Sequence, residues 1–452
     1  MGVSKPPYRT PGGWAVSPIT RIISAALLFL PVAIPPAAHA RTLRVGPDRN
    51  YKHIRDAAAM AADGDVILLD AGNYTADVAT WTQNDLVLWA PEGRARFVAQ
   101  GAAEDGQGIW VVEGRNFTAE NIEFTGAKAP GHGGAGVRLH AKGNVTLRHC
   151  YFHDNENGVV GDADEILIEK CTFDHNGAGD GHSHNIYVWG PKVTVQSCYI
   201  HRAVAGQNLK TRCRTSYILA NRIMDEGDGT GSYGIDVPDC GRAYVIGNVI
   251  EQGPESRSYL LVSYGAESDK NRERELYMVN NTLVNDGRPD GFFIKIRKGT
   301  DARITNNIFY GPGTTWVGGN VQDGHNLVIP ALDNEPRFAN PRAYDFRLTA
   351  DSPHAIVDRG VSPGVSASGY DLTPKLEYVY DADGKPRPVM GPLDLGAFEY
   401  VAPPVAPPTP PATVPGKVVA KRSPAKERPA KSSPSTRKKA KTYPARSPKR
   451  TI

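Results

Sequence analysis

Residues 181–223 read GHSHNIYVWGPKVTVQSCYIHRAVAGQNLKTRCRTSYILANRI. Three histidines, two cysteines, a lysine and several arginines give this stretch the look of a metal or nucleophile site. It also repeats one phrase. HNIYV leads to VTVQSCYI, and QNLKT leads to SYILANRI. Deciding which polar residues belong to the repeat comes before assigning any of them chemistry.

The phrase recurs along the chain: alternating apolar residues, then Asn or Cys, then a short apolar pair. Its anchors are Asn121, Cys150, Cys171, Cys198, Asn221, Asn248, Asn281 and Asn307, with steps of 29, 21, 27, 23, 27, 33 and 26 residues. Strand-like units at such a period, rich in Gly and Asn, predict an all-β solenoid. Val193, Val195 and Ile200 alternate with polar residues, so one strand face points inward. Coils stack every ~4.8 Å, which places equivalent residues above one another. A buried Asn at a turn can then bond its neighbours and the turn backbone, removing the cost of burying its amide. Cys150, Cys171 and Cys198 read as small apolar substitutes in the same inward stack, although a bridge between two of them stays open in an oxidising compartment. Cys213 and Cys240 each lie eight residues before an anchor, Asn221 and Asn248. That spacing makes them neighbours on successive coils and predicts a disulfide between them.

The two ends differ from the body. Lys5, Arg9 and Arg21 precede or open an apolar run, Ile22 to Ile34, and AHA closes the segment at Ala38–Ala40. This is the pattern of a secretory signal over residues 1–40, too short for a membrane span. The expected location is exported, periplasmic or extracellular, with no transmembrane span in the mature protein. Residues 401–452 carry 13 Lys and Arg against one acid, Glu427, among many Pro, Ala and Ser. Such a composition predicts a disordered tail. The chain's net charge of +4 therefore hides an acidic body, residues 41–400, at net −11. The basic tail is expected to bind anionic envelope polymers, not nucleic acid. The chain is expected to be a monomer.

Together, the repeat, the opening RVGPDRNYKHIRDAAAMAADGDVILLDAGNYT and the closing segments NEPRFANPRAYDFRLTADSPHAIVDRG and YDADGKPRPVMGPLDLGAFEY resemble a right-handed parallel β-helix of the pectate lyase-like superfamily. The resemblance covers about residues 42–400. It implies an amphipathic helix near Ile54–Ala62 that caps the open coil end. It makes Asp345, Arg347, Ser352, Asp358, Asp383, Arg387 and Asp394 turn and cap residues.

Setting the coils in register by their anchors aligns Asn185 with Asn208, and Gly234 with a slip of one residue. If Val137, Ile186, Leu209 and Ile235 point inward, then Arg138, Tyr187, Lys210 and Asp236 share the outer face. Continued alternation adds His140, Trp189 and Arg212. In the superfamily this face resembles the sheet that binds acidic polysaccharide. Arg138, Lys210 and Arg212 suit carboxylates, and Tyr187 and Trp189 suit sugar faces. GHSHN followed by NLKTR resembles β-helix lyases and mannuronan C5-epimerases, which abstract the C5 proton of a uronate. That resemblance makes His184 or Lys210 the base, Arg212 the carboxylate neutraliser and Tyr187 or His182 the proton donor. Among cofactors only calcium is suggested, with Asp180, Asp225, Glu226 and Asp228 as oxygen ligands. His153, His175 and His201 keep time with the repeat and read as turn residues; His132 and His140 are weaker site residues. Two other classes stay open. A glycoside hydrolase would pair Asp236 with Asp180 or Asp228. A non-catalytic envelope protein would bind polysaccharide through the same face.

Overall fold

The computed structural model describes residues 40–332 and 338–402. The segment read as a secretion signal and the basic tail lie outside the described residues. Each complete coil supplies three short strands. Ile186–Trp189, Lys192–Gln196 and Tyr199–His201 form one turn of the helix. Leu209–Thr211, Thr215–Leu219 and Arg222–Met224 form the next. Successive coils pair in parallel, with Ile186 against Leu209, Val193 against Ser216 and Ile200 against Ile223. The first two strands of each coil belong to a sheet of 20 strands, and the third to a separate sheet of 11. The register includes the predicted slip, since Leu209 pairs with Ile235.

The period of two puts Val193, Val195 and Ile200 fully inside. Equivalent positions stack into columns. Phe124 lies on Phe152, and Phe152 on Phe173, with ring centres 5.0 and 4.8 Å apart and planes within 10°. Flat stacking of like rings is what parallel in-register coils impose.

The anchors form a continuous hydrogen-bonded ladder. The N–H of Asn221 donates to the Oδ1 of Asn248, that of Asn248 to Asn281, and that of Asn281 to Asn307, each at 2.9 Å. Each amide nitrogen also donates to the next Oδ1 and to a strand carbonyl, as Asn248 does to Asn281 and Ile218. Asn326 extends the ladder by one rung beyond the predicted set. In the cysteine portion sulfur takes the acceptor's place, since the N–H of Cys150 donates to the Sγ of Cys171 and that of Cys171 to the Sγ of Cys198, both at 3.4 Å.

A second ladder runs where the third strand turns back toward the first. Asn155, Asn176, Asn185 and Asn208 bond in sequence, and the last rung is an acid, Asp225, which accepts from Asn208 at 3.0 Å. Asp225 is buried, and burial pushes its carboxyl up to about 7, against smaller opposing hydrogen bonds. Beside it Glu251 is also buried, and burial with the nearby Asp225 charge raises it too. An acid whose folded pKa exceeds its unfolded value stabilises the fold while protonated. That contribution is complete below about pH 4, the unfolded value, and is lost as pH rises through the folded value. Asp225→Asn, which continues the ladder in kind, is therefore expected to raise the melting temperature at pH 8 more than at pH 5. An equal shift at both pH values would show that Asp225 is not protonated in the fold.

The N-terminal coil end is closed by a helix, Ile54–Met60, two residues shorter than predicted. Ile54, Ala57 and Ala58 face the core, and Asp77 from the following coil accepts the N–H of Ile54 at 2.7 Å. The C-terminal segment folds back along the coils. Its Leu372 and Tyr370 cover an outer tyrosine column, Tyr217, Tyr244 and Tyr277. Within it Asp394 accepts the N–H of Asp358, Asp345 pairs with Arg347, and Arg387 pairs with Glu399.

One prediction fails. Cys213 and Cys240 do lie on neighbouring coils, but both are free thiols. Cys240 adopts a left-handed backbone, φ 60°, and its thiol donates to the carbonyl of Ser268 at 3.5 Å. The register brings the two backbones together, and the local turn sends the side chain elsewhere. Among the described residues no helix is long and apolar enough to cross a membrane.

Candidate functional site

Parallel pairing places Arg138, Val160, Tyr187, Lys210 and Asp236 in one row across five coils. His140, Asp162 and Trp189 make the adjacent row. Around Tyr187 the predicted residues converge. The Nε of Arg212 donates to the Tyr187 hydroxyl at 2.8 Å, and the Lys210 ammonium lies 5.6 Å from the Tyr187 ring centre. His184 and Trp189 both pack edge-on against Tyr187, with ring centres 5.2 and 5.3 Å away.

His184 is seated by a close backbone approach. A side chain at Gly206 would fall 1.8 Å from the Ser183 carbonyl. Glycine there lets the Gln207 N–H reach the Nδ1 of His184 at 3.1 Å. Burial drives the His184 pKa down to about 3, with the Lys210 charge adding to the effect. His184 is thus a neutral imidazole whose acceptor nitrogen is already used. This disfavours it as base and makes it a support for Tyr187. His182 is exposed on the preceding loop.

The two cations hold a carboxylate between them. Lys210 Nζ lies 2.9 Å from Glu267 Oε1 and 3.2 Å from Asp236 Oδ2. Arg212 binds the other oxygen of Glu267 and, at 2.7 Å, Asp239. Burial alone would lower the Lys210 pKa, but Glu267 and Asp236 outweigh it and raise it. Glu267 is lowered, since the hydrogen bonds from Lys210 and Arg212 overcome its burial. Asp236 is almost fully buried and raised by that burial. It anchors Lys210 from beneath and does not form an open sugar contact. Glu267 and Asp239 were not anticipated. Glu267 arrives on a loop between the strands Leu260–Tyr264 and Arg274–Val279. That loop is pinned by Asn271, whose amide donates to the carbonyls of Arg212, Cys213 and Cys240.

Other expected residues lie apart. Arg138 sits two coils from Tyr187 and donates to the Gly133 carbonyl at 2.6 Å, and His140 bonds Gln107 at 2.7 Å. The four acids suggested for calcium do not converge. Asp180 binds His132 at 2.9 Å, Asp225 ends the second ladder, Glu226 bonds Tyr199 on the third-strand sheet, and Asp228 lies exposed near Arg202. Among the described residues no group of three His, Cys, Asp or Glu is placed to hold a metal. The same dispersal leaves Asp236 without Asp180 or Asp228 as a hydrolytic partner. His175 is a turn residue, φ 51°, as expected. His153 and His201 instead end the third strands Tyr151–His153 and Tyr199–His201.

A family model described as the right-handed β-helix region matches residues 100–283. A crystal structure of the pectate lyase Pel9A superposes with a TM-score of 0.54 at 17% identity, over 79% of this chain and 96% of that one. The chain folds as a right-handed parallel β-helix. The alginate lyase from Paenibacillus sp. str. FPU-7 is similar at a TM-score of 0.42 and 15% identity, over 64% of this β-helix chain and 99% of its own. The Azotobacter vinelandii mannuronan C-5 epimerase AlgE6 A-module is similar at 0.32 and 14%, over 61% and 93%. No curated protein sequence matches the chain.

Proposed function

We propose that this β-helix acts on an acidic, uronate-containing polysaccharide by abstracting the C5 proton. The observation that carries the reading is the Glu267 carboxylate held between Lys210 and Arg212 beside the Tyr187 hydroxyl. A uronate carboxylate that displaced Glu267 would meet the same two cations. Arg212 would neutralise it and lower the cost of negative charge at C5. Lys210, freed of one carboxylate and desolvated by the sugar, would take the C5 proton. The electron pair left at C5 would form the C4–C5 double bond as the C4–O bond breaks, and Tyr187 would protonate the departing oxygen. Delivery of a proton to the opposite face of C5 would give epimerisation instead.

Lyase action on alginate, polygalacturonate or glucuronan is expected to yield unsaturated, ultraviolet-absorbing ends. Reducing ends without that absorbance would favour the second reading, hydrolysis. Soluble polymer lost without either product would mark a binding protein.

Because its two carboxylates raise Lys210, activity is expected to climb on the alkaline side of neutrality. Glu267→Gln removes one of those negative charges. The rising limb of the kcat/KM profile, which reports the free enzyme with Glu267 in place, should move toward acid by on the order of one pH unit. A limb that stays in place would show that Lys210 does not set it. Export, periplasmic or extracellular, and tail binding to anionic envelope polymers belong to the same proposal. Removing residues 402–452 should weaken retention on an anionic matrix at low salt.

A further inference from the structure

The third-strand sheet carries a groove on a different face from the Tyr187 site. The returning C-terminal segment forms its other wall. One part, about 1070 Å³, is lined by Tyr199, Arg222, Tyr344 and Tyr378 among others. A second part, about 350 Å³, is lined by Arg94, Tyr151 and Lys170, and the two share Tyr199, His201, Arg202 and Tyr380. The floor is a register row, Tyr151, Thr172, Tyr199 and Arg222, one residue per coil. Three coil steps span about 14 Å. The groove therefore follows the helix axis for the length of a short oligosaccharide.

Its charges are unevenly satisfied. Arg202 pairs with Asp174, Lys170 with Asp383, Lys385 with Glu377 and Arg347 with Asp345. Glu226 takes the Tyr199 hydroxyl. Two arginines are held differently. Arg222 lies between the rings of Tyr199 and Tyr380, at 4.7 and 5.1 Å. Its hydrogen bonds go to the Met224 sulfur, a weak acceptor, and to Glu226 at 3.5 Å. Yet its side chain is only 11% exposed. Arg94 lies over Tyr151 at 5.8 Å and donates to the His149 carbonyl. Both guanidinium groups lie over tyrosine rings, and a planar carboxylate fits the donors of such a group in bidentate fashion. His201 stacks on the buried Tyr199 at 3.8 Å, so the exposed Tyr380 is the ring that offers an apolar face to a sugar.

We infer that this groove is a second, non-catalytic binding site for an acidic oligosaccharide, with Arg222 and Arg94 as carboxylate contacts and the exposed Tyr380 as stacking platform. It depends on residues separate from Tyr187, Lys210 and Arg212, so it stands whether or not those residues catalyse. A chain bound here would stay with the protein between events at the other face.

The test uses the full chain carrying Lys210→Ala and Arg212→Ala, which removes turnover and the first site's cations. Calorimetric titration with mannuronate and galacturonate tetramers, and with cellotetraose as the neutral control, is expected to show binding of an acidic tetramer only. Adding Arg222→Met should weaken it about tenfold. Adding Tyr380→Ala should weaken it ~3- to 10-fold. Tyr380 is 67% exposed, so that variant does not threaten the fold. Affinity unchanged by Tyr380→Ala and Arg222→Met would place any binding elsewhere, the basic tail included, and overturn the inference. Equal binding of cellotetraose, or no binding of either acid, would overturn it as well.

Discussion

Lys210→Ala is expected to lower turnover of a uronate polymer by about 10²- to 10⁴-fold, the usual worth of a positioned general base. The Michaelis constant should change far less, because Arg212 still meets the carboxylate. Charge and base roles are separable at this position. Lys210→Arg keeps a cation against Asp236 and Glu267, but a guanidinium does not deprotonate in this range. It should therefore be nearly as inactive as alanine. Recovery of most activity by arginine would make Lys210 an electrostatic clamp and leave the base unassigned. Steady-state rates on wild type and both variants decide between the two roles.

Asn248→Leu is expected to produce the largest loss of stability. The side chain accepts from the backbone and the amide of Asn221, and donates to Ile218 and Asn281. Leucine has similar bulk but leaves these groups buried without their partner. At about 1–3 kcal/mol per unsatisfied group, partly relaxed, the loss should reach about 3–6 kcal/mol. Asn248→Cys should cost less. The chain itself uses sulfur at Cys171 and Cys198 to accept the N–H of the coil before. Denaturant unfolding that ranked cysteine below leucine would contradict the role given to the ladder.

Much of this architecture was legible because a solenoid writes its register into the sequence. The anchors marked the first ladder, and the period of two placed Tyr187, Lys210 and Asp236 on one face. Asn185 and Asn208 served as register marks, while their own ladder with Asn155, Asn176 and Asp225 went unread. Asn in a turn has many uses, and only stacking revealed this one. The predicted bridge failed for a related reason. Spacing fixed which coils carry Cys213 and Cys240, but the left-handed turn at Cys240 decides where its thiol points.

The site was legible by row and not by loop. The longest step, 33 residues from Asn248 to Asn281, announced extra chain in that coil. It could not say that Glu267 folds back onto Lys210 and Arg212, because a loop's path depends on contacts such as those of Asn271. Similarly, Asp236 reads as an outward residue by alternation, and the loop above it makes it a buried anchor. The tyrosine–arginine groove needed the C-terminal segment as its wall, and no repeat pattern specifies where that segment lies.

Proton abstraction at C5 is the central claim. Incubating the full chain with defined uronate oligomers in deuterium oxide, and following the sugar by proton NMR, addresses it directly. Loss of the H5 signal is expected, with a new vinylic H4 signal for elimination or deuterium at C5 for epimerisation. Oligomers that keep every H5 signal, whether intact or cut to saturated products, would contradict it.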